Sequence, residues 1–323
     1  MKKRITGIWE TLKDTFKGFS DHKVMKLSGA LAYYTVFSMG PLLIVIISLC
    51  GLFLGREAVE GKVYSVLVGF VGTDTAASLQ DIIKNAAVGD QSFVAVVIGG
   101  IVLLIGATTM FAEIQDSINT IWGLKPRPKR GWLKYLQNRF LSFSVIVSLG
   151  FLLLVSLAVT ALVEILSDKL QQSFPEVTVV VFYIVNLAIT ISISTIIFAT
   201  IFKVLPDAKI KWRDVFAGAF VTAILFLVGK FGISLYISKT NVGSTYGAAG
   251  SLVILLVWVY YSAVILYLGA EFTKAYALKY GSAIHPSDYA VTIQQVEVEM
   301  GSKAVQSIEE QKDTESDLKN KKS

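Results

Sequence analysis

LSGALAYYTVFSMGPLLIVIISLCGLFLG, residues 27–55, runs for 29 positions without an Asp, Glu, Lys, Arg or His. About 20 apolar residues in a helix cross the hydrocarbon of a bilayer, so this stretch predicts a transmembrane span. Its middle is not uniformly apolar. Tyr33, Tyr34, Thr35 and Ser38 precede a Gly40-Pro41 pair. Proline has no N–H to give the carbonyl of Phe37, and its ring crowds that turn. A carbonyl freed in lipid needs another donor, which Ser38, Thr35 or a neighbouring helix can supply. The stretch therefore predicts a kinked helix packed in a bundle.

Outward from it, the composition is that of a membrane protein: 54% hydrophobic, 17% charged, with a mean hydropathy of +0.61. The single cysteine, Cys50, excludes an intrachain disulfide and a cysteine-rich metal site. The first apolar run exceeds the core of a signal peptide and lacks a small-residue cleavage pattern, so it is expected to be retained.

Residues 1–26 form a basic foot. Ile5, Ile8, Trp9, Leu12, Phe16 and Phe19 recur every three or four positions, which predicts an amphipathic helix. It would lie among anionic lipid headgroups or pack on the bundle. Further uncharged runs cover Gln91–Ala112, Phe140–Val163, Val177–Phe202, Val215–Ser238 (broken by Lys230) and Thr240–Ala270. With the first, they predict six transmembrane helices, an all-α polytopic fold over residues 27–280. The termini and the loops on their side of the membrane carry 24 Lys/Arg against five in the other loops. The positive-inside rule then places both termini in the cytoplasm. The first outer loop, Arg56–Asp90, has two apolar stripes separated by Gly72-Thr73-Asp74, which predicts two amphipathic helices on the outer face.

The second span runs on as FAEIQDSINTIWGL, residues 111–124. Glu113 and Asp116, three apart, and Gln115 and Asn119, four apart, are neighbours on a helix. Such a cluster serves acid–base or cation chemistry, or is a solvated helix end facing the basic turn that follows. In that turn Pro126 and Pro128 forbid a helix, and its cations suit topology anchoring or lipid headgroups. Beyond Gly281 eight acids and five lysines predict a polar, largely disordered tail over 281–323.

Several stretches together resemble one family, the YihY/BrkB-type bacterial inner-membrane proteins, formerly labelled the ribonuclease BN family. The first span offers Leu31-Ala32-Tyr33-Tyr34, Phe37-Ser38 and Pro41; the second offers Asn119 and Ile121-Trp122. Leu205-Pro206, Trp212, Gly218-Ala219, Lys230, Phe231 and Tyr236 follow. The last span holds the densest match: Tyr246-Gly247, Gly250, Leu256, Trp258, Tyr260-Tyr261-Ser262 and Gly269-Ala270-Glu271. The resemblance implies a six-helix fold with both termini inside, without an established activity.

The old ribonuclease label is weighed by the residues. RNA hydrolysis needs a general acid and base or clustered metal ligands. His22 and His285 each lie in a terminal segment without metal-ligand spacing. Neither an enzymatic role, a cofactor nor a nucleic-acid partner is expected. The expected role is transport or handling of a small solute or lipid, with a scaffold for envelope assembly as the rival. The candidate cavity residues are Tyr33, Tyr34, Ser38, Pro41, Lys230, Tyr236, Tyr246, Gly247, Tyr260 and Glu271. Lys230 is the only formal charge inside a span. Intramembrane ionisable groups usually face the bundle or a water-filled cavity, although a lysine stem can also snorkel to the headgroups. Glu164, of similar depth, is its expected partner unless a substrate anion is. Gly218, Thr222, Gly229 and Gly232 form a small-residue stripe suited to close helix packing.

Overall fold

The computed structural model describes residues 2–38, 77, 93–127, 175–239, 250–287 and 290–293. The proline kink at Pro41, the outer-loop helices, the span 140–163, Glu164, Tyr246 and Gly247 lie outside the described residues. Met1–Thr292 form one compact unit, and Ile293–Ser323 a second, described only at Ile293.

The elements in order are helix α1 (Lys2–Asp21), helix α2 (residues 24–38), helix α3 (Phe93–Trp122) and strand β1 (Leu124–Pro126). Helix α4 (Pro175–Val204), strand β2 (Ala208–Lys209), helix α5 (Trp212–Lys239) and helix α6 (Gly250–Tyr280) follow. Strands β3 (His285–Pro286) and β4 (Ala290–Thr292) end the folded unit. Ile184–Val204, Trp212–Ile233 and Leu252–Tyr280 are each long and apolar enough to cross a membrane.

Helix α6 is the hub. Helices α1, α3 and α5 pack on it, and α4 packs on α5. The α5–α6 seam is made by two matching motifs, Gly218-x-x-x-Thr222 and Gly269-x-x-x-Thr273, running antiparallel. Thr273 sits over Gly218 and Thr222 over Gly269. Each threonine hydroxyl donates to its own helix, Thr222 to the Gly218 carbonyl and Thr273 to the Gly269 carbonyl, both at 2.7 Å. The seam thus buries two hydroxyls without an unpaired donor. Lipid tails are as apolar as leucine, so close packing rather than hydrophobicity selects such an interface. Further along, Tyr261 fills the groove at Gly229. Gly232 does not join the seam: a Cβ there would meet nothing within 4 Å. It stands on the outer side of α5, and the small-residue stripe read from the sequence ends at Gly229.

One end of the bundle is closed by short strands. β1 pairs antiparallel with β4, Leu124 opposite Thr292, and β2 pairs with β3, Ala208 opposite Pro286. The chain enters β1 through Gly123, whose φ of 70° suits glycine and ends α3. The folded unit therefore runs past Gly281, where the sequence predicts a disordered tail to begin. Residues just beyond that glycine find backbone partners on the two interhelical loops, and these hydrogen bonds offset their ordering cost.

The foot is also rearranged. Helix α1 stops at Asp21, and Lys23, at φ 52°, turns the chain into α2. Gly7 lies against Tyr280 and Gly18 against Glu271, so α1 runs antiparallel along the last turns of α6. Most of its apolar stripe faces away from this contact, although Phe19 packs against the core. Gly7, Thr11, Thr15 and Gly18 make it, while Ile8, Trp9 and Phe16 stand exposed.

Candidate functional site

The strand-closed end of the bundle carries a network of buried polar contacts. Asn119 and Asp207, each 2% exposed, bind reciprocally. The Asn119 amide donates to Asp207 Oδ2 at 3.0 Å, and the Asp207 backbone N–H donates to Asn119 Oδ1 at 2.9 Å. This pair joins the last turn of α3 to the α4–β2 loop. Trp122 Nε1 donates to the Ala270 carbonyl at 3.1 Å, and Lys274 Nζ to the Ile121 carbonyl at 2.6 Å. The last carbonyls of a helix lack intrahelical partners, so the lysine satisfies one orphan group at the negative end of α3. Asp214, in the first turn of α5, accepts from the N–H and the hydroxyl of Ser282, both at 3.1 Å. Lys203, in the last turn of α4, donates to the Ile210 carbonyl.

Glu271 is 2% exposed, and its Oε1 accepts from His22 Nδ1 at 2.6 Å. That contact ties the turn between α1 and α2 to the hub. Neither residue type signals the other in the sequence, since they lie 249 positions apart. Asp207, Asp214, His22 and Lys274 are the functional-looking groups that sequence reading missed, each because its partner lies on a distant element.

The Glu113–Asp116 cluster begins this end. It is solvated in part: Ile114, Ser117, Ile118 and Asn119 are buried, Glu113 is half-buried and Asp116 is exposed. Ser117 Oγ lies 3.5 Å from Glu113 Oε1. Burial, then the neighbouring Asp116 charge, pushes the Glu113 carboxyl above the usual carboxylate range. Burial and the Asp207 charge push Asp116 up as well. The folded state thus holds more protons than the unfolded chain between the ordinary carboxylate pKa and the raised values. Stability must fall as pH rises through that window. Thermal unfolding of the detergent-solubilised protein should show a midpoint that declines as the pH rises above the ordinary carboxylate range, and Glu113→Gln with Asp116→Asn should flatten that decline. An unchanged slope in the double variant would contradict the assignment.

The remaining candidates sit along the helices rather than in the network. On α2, Tyr33, Tyr34 and Phe37 form an exposed aromatic ladder, Tyr33 edge-on to Tyr34 at 5.6 Å and against Phe37 at 4.6 Å. Ser38 bonds back to the Tyr34 carbonyl at 2.7 Å and lies beside Gly106 of α3. Lys230 is half-buried within α5, and Tyr236 is exposed near its end. Tyr260 donates to Met25 Sδ at 3.2 Å. The structure therefore divides the expected cavity set: Glu271 belongs to the closed end, Tyr260 reaches Met25 in the first turn of α2, and Tyr33, Tyr34, Lys230 and Tyr236 lie farther along their helices.

The family described as virulence factor BrkB matches residues 15–289. A UPF0761 membrane protein of Vibrio parahaemolyticus serotype O3:K6 (strain RIMD 2210633) is 30% identical over 273 residues, 81% of this chain and 81% of its own. One of Vibrio atlanticus (strain LGP32) is 29% identical over 285 residues, 85% of each chain. A third, of Pseudoalteromonas translucida (strain TAC 125), is 28% identical over 256 residues, covering 78% of this chain and 81% of its own. No solved structure matches the chain.

Proposed function

The chain belongs to the BrkB family, and from that membership we propose that it is a six-span bacterial inner-membrane protein that moves or handles a small solute or lipid. Both termini are cytoplasmic in this reading. The packing of α1 on α6 and the pairing of β4 with β1 support it, since they bring α1 and residues 290–292 to one end of the bundle. The described parts of two basic loops predicted to face the cytoplasm, residues 124–127 and 203–214, lie at that same end. The protein acts without covalent chemistry or a cofactor.

One observation carries the proposal: the polar side chains are distributed unevenly along the bundle. At the cytoplasmic end two pairs join buried polar side chains to distant elements, Asn119 with Asp207 and Glu271 with His22. Farther in, Tyr33 and Tyr34 are open, and Lys230 is only half-buried. A lysine at membrane depth costs roughly 2.5–3.5 kcal/mol at a helix centre, and such groups are usually kept where they meet water, an anion or substrate. The bundle then works as a cavity sealed on the cytoplasmic side, with Lys230 receiving an anionic group. Glu164 or a substrate carboxylate or phosphate fits that role.

The scaffold reading is favoured by the glycine–threonine seam of α5 and α6, which is close-packed and leaves no passage between those two helices. Cysteine labelling separates the two. In a Cys50→Ser background, Tyr34→Cys and Lys230→Cys should react with an impermeant thiol reagent added to the outside of spheroplasts, as should Asp74→Cys and Ser173→Cys. Lys129→Cys should react only after permeabilisation. Silence at both Tyr34 and Lys230, with the loop positions labelled, would leave the scaffold. A labelled Lys129 with silent outer loops would invert the topology.

A further inference from the structure

Helix α1 has three distinct faces when its residues are set at about 100° intervals. The first is small: Gly7, Thr11, Thr15 and Gly18 lie on α6. The Thr11 and Thr15 hydroxyls bond back to the Gly7 and Thr11 carbonyls at 3.0 and 2.8 Å, so this face buries no unpaired donor. The second is apolar. Ile8, Trp9 and Phe16 are 58%, 71% and 63% exposed; of the same stripe, Leu12 is half-buried and Phe19 packs against the core. The third is charged, and its charges are sorted. Lys13 and Lys17, both exposed, border the apolar face on the side away from α6. Glu10, Asp14 and Asp21 come after them, between the lysines and the packed face, and Glu10 is taken by Lys279. The apolar surface is therefore flanked by positive charge only.

The direction of the helix adds to this. Because α1 runs antiparallel along α6, its apolar face looks sideways from the bundle and not along the bundle axis. A sideways surface at the end of a spanning helix meets the leaflet, whereas an end-facing surface meets water. Tyr280 and Trp212 mark the same level: Gly281 lies against Asp214, which brings the first turn of α5 beside the end of α6. Both aromatics are exposed, as in the interfacial belt of membrane proteins.

We propose that α1 is a lateral lipid-docking helix, its Ile8–Trp9–Phe16 face bedded in the headgroup–acyl boundary of an anionic leaflet and its Lys13–Lys17 edge on the phosphates. Docking of this kind holds the hub by its last turns through the Gly7–Tyr280 and Gly18–Glu271 contacts. It is independent of what the bundle handles. The family match begins at residue 15, so most of this helix lies ahead of it.

The test is collision accessibility of a nitroxide on the full-length Cys50→Ser protein in lipid nanodiscs. Phe16→Cys and Asp14→Cys replace exposed side chains and leave the packed face intact. In discs containing phosphatidylglycerol, the Phe16 label should be relaxed by oxygen and protected from a water-soluble nickel chelate, and the Asp14 label should show the opposite. In phosphatidylcholine alone, the Phe16 protection should weaken severalfold. Equal nickel access at the two positions would overturn the proposal. Protection from both reagents with dipolar broadening between labels would overturn it in favour of a second copy on this face. Equal protection in both lipids would overturn the role assigned to the lysines.

Discussion

Gly218→Leu is expected to open the α5–α6 seam and cost the fold about 3 kcal/mol or more, at the upper end of overpacking effects. A Cβ at this position would lie 3.0 Å from Thr273 Cα and closer still to its side chain. A side-chain tip can rotate away, but a backbone atom cannot. The helices must therefore separate, and the reciprocal contact of Thr222 with Gly269 is lost with the first. Circular dichroism of the purified protein in detergent should show a lowered thermal midpoint, with Gly218→Ala falling between wild type and Gly218→Leu. Gly232→Ala is the matched control. A Cβ there meets nothing, and alanine is about 0.5–1 kcal/mol better than glycine inside a helix, so its midpoint should hold or rise. If Gly218→Leu melted like wild type, the seam would not be a stabilising contact.

Asn119→Leu should be nearly as damaging. The substitution keeps the volume and removes both partners of Asp207: the amide that reaches its carboxylate and the oxygen that accepts its backbone N–H. Hydrogen bonds to charged groups contribute about 1.5–3 kcal/mol, and an orphaned buried donor adds about 1–3 kcal/mol, so a loss of about 3 kcal/mol follows. Two further readouts identify the cause. Asp207→Asn retains an acceptor oxygen and the backbone donor, and should lose less than Asn119→Leu. Limited proteolysis should cut Asn119→Leu first in the 205–211 loop, which the pair fastens to α3. Loss confined to the other end of the bundle would argue against this account.

Hydropathy located three helices long and apolar enough to cross a membrane, because the cost of transfer into lipid is close to a sum over residues. The expected runs 177–202, 215–238 and 240–270 overlap the apolar helices Ile184–Val204, Trp212–Ile233 and Leu252–Tyr280. The stripe of Gly218, Thr222 and Gly229 was legible for a similar reason: it needs only the helical period. Its partner on α6 was written in the same form, Gly269-x-x-x-Thr273, but nothing local says that one such motif faces another.

At the closed end Asn119 and Glu271 stood out in the sequence, but their pairings were not legible. Asn119 and Asp207 lie 88 positions apart, and His22 and Glu271 lie 249 apart. Each pairing depends on where whole helices end relative to one another. The β1–β4 and β2–β3 pairings are too short to leave a period-two pattern, so a segment that reads as a polar tail became part of the fold.

Helix α1 separates the two kinds of information most clearly. Its apolar stripe was legible as a stripe, and the helix it predicts is present. Which face would pack was decided by the tertiary structure alone. In water an apolar stripe turns toward the protein, because nothing else hides it. Beside a bilayer both directions are apolar, so hydrophobicity no longer chooses. Close approach does, and the glycines and threonines of the opposite sector allow it.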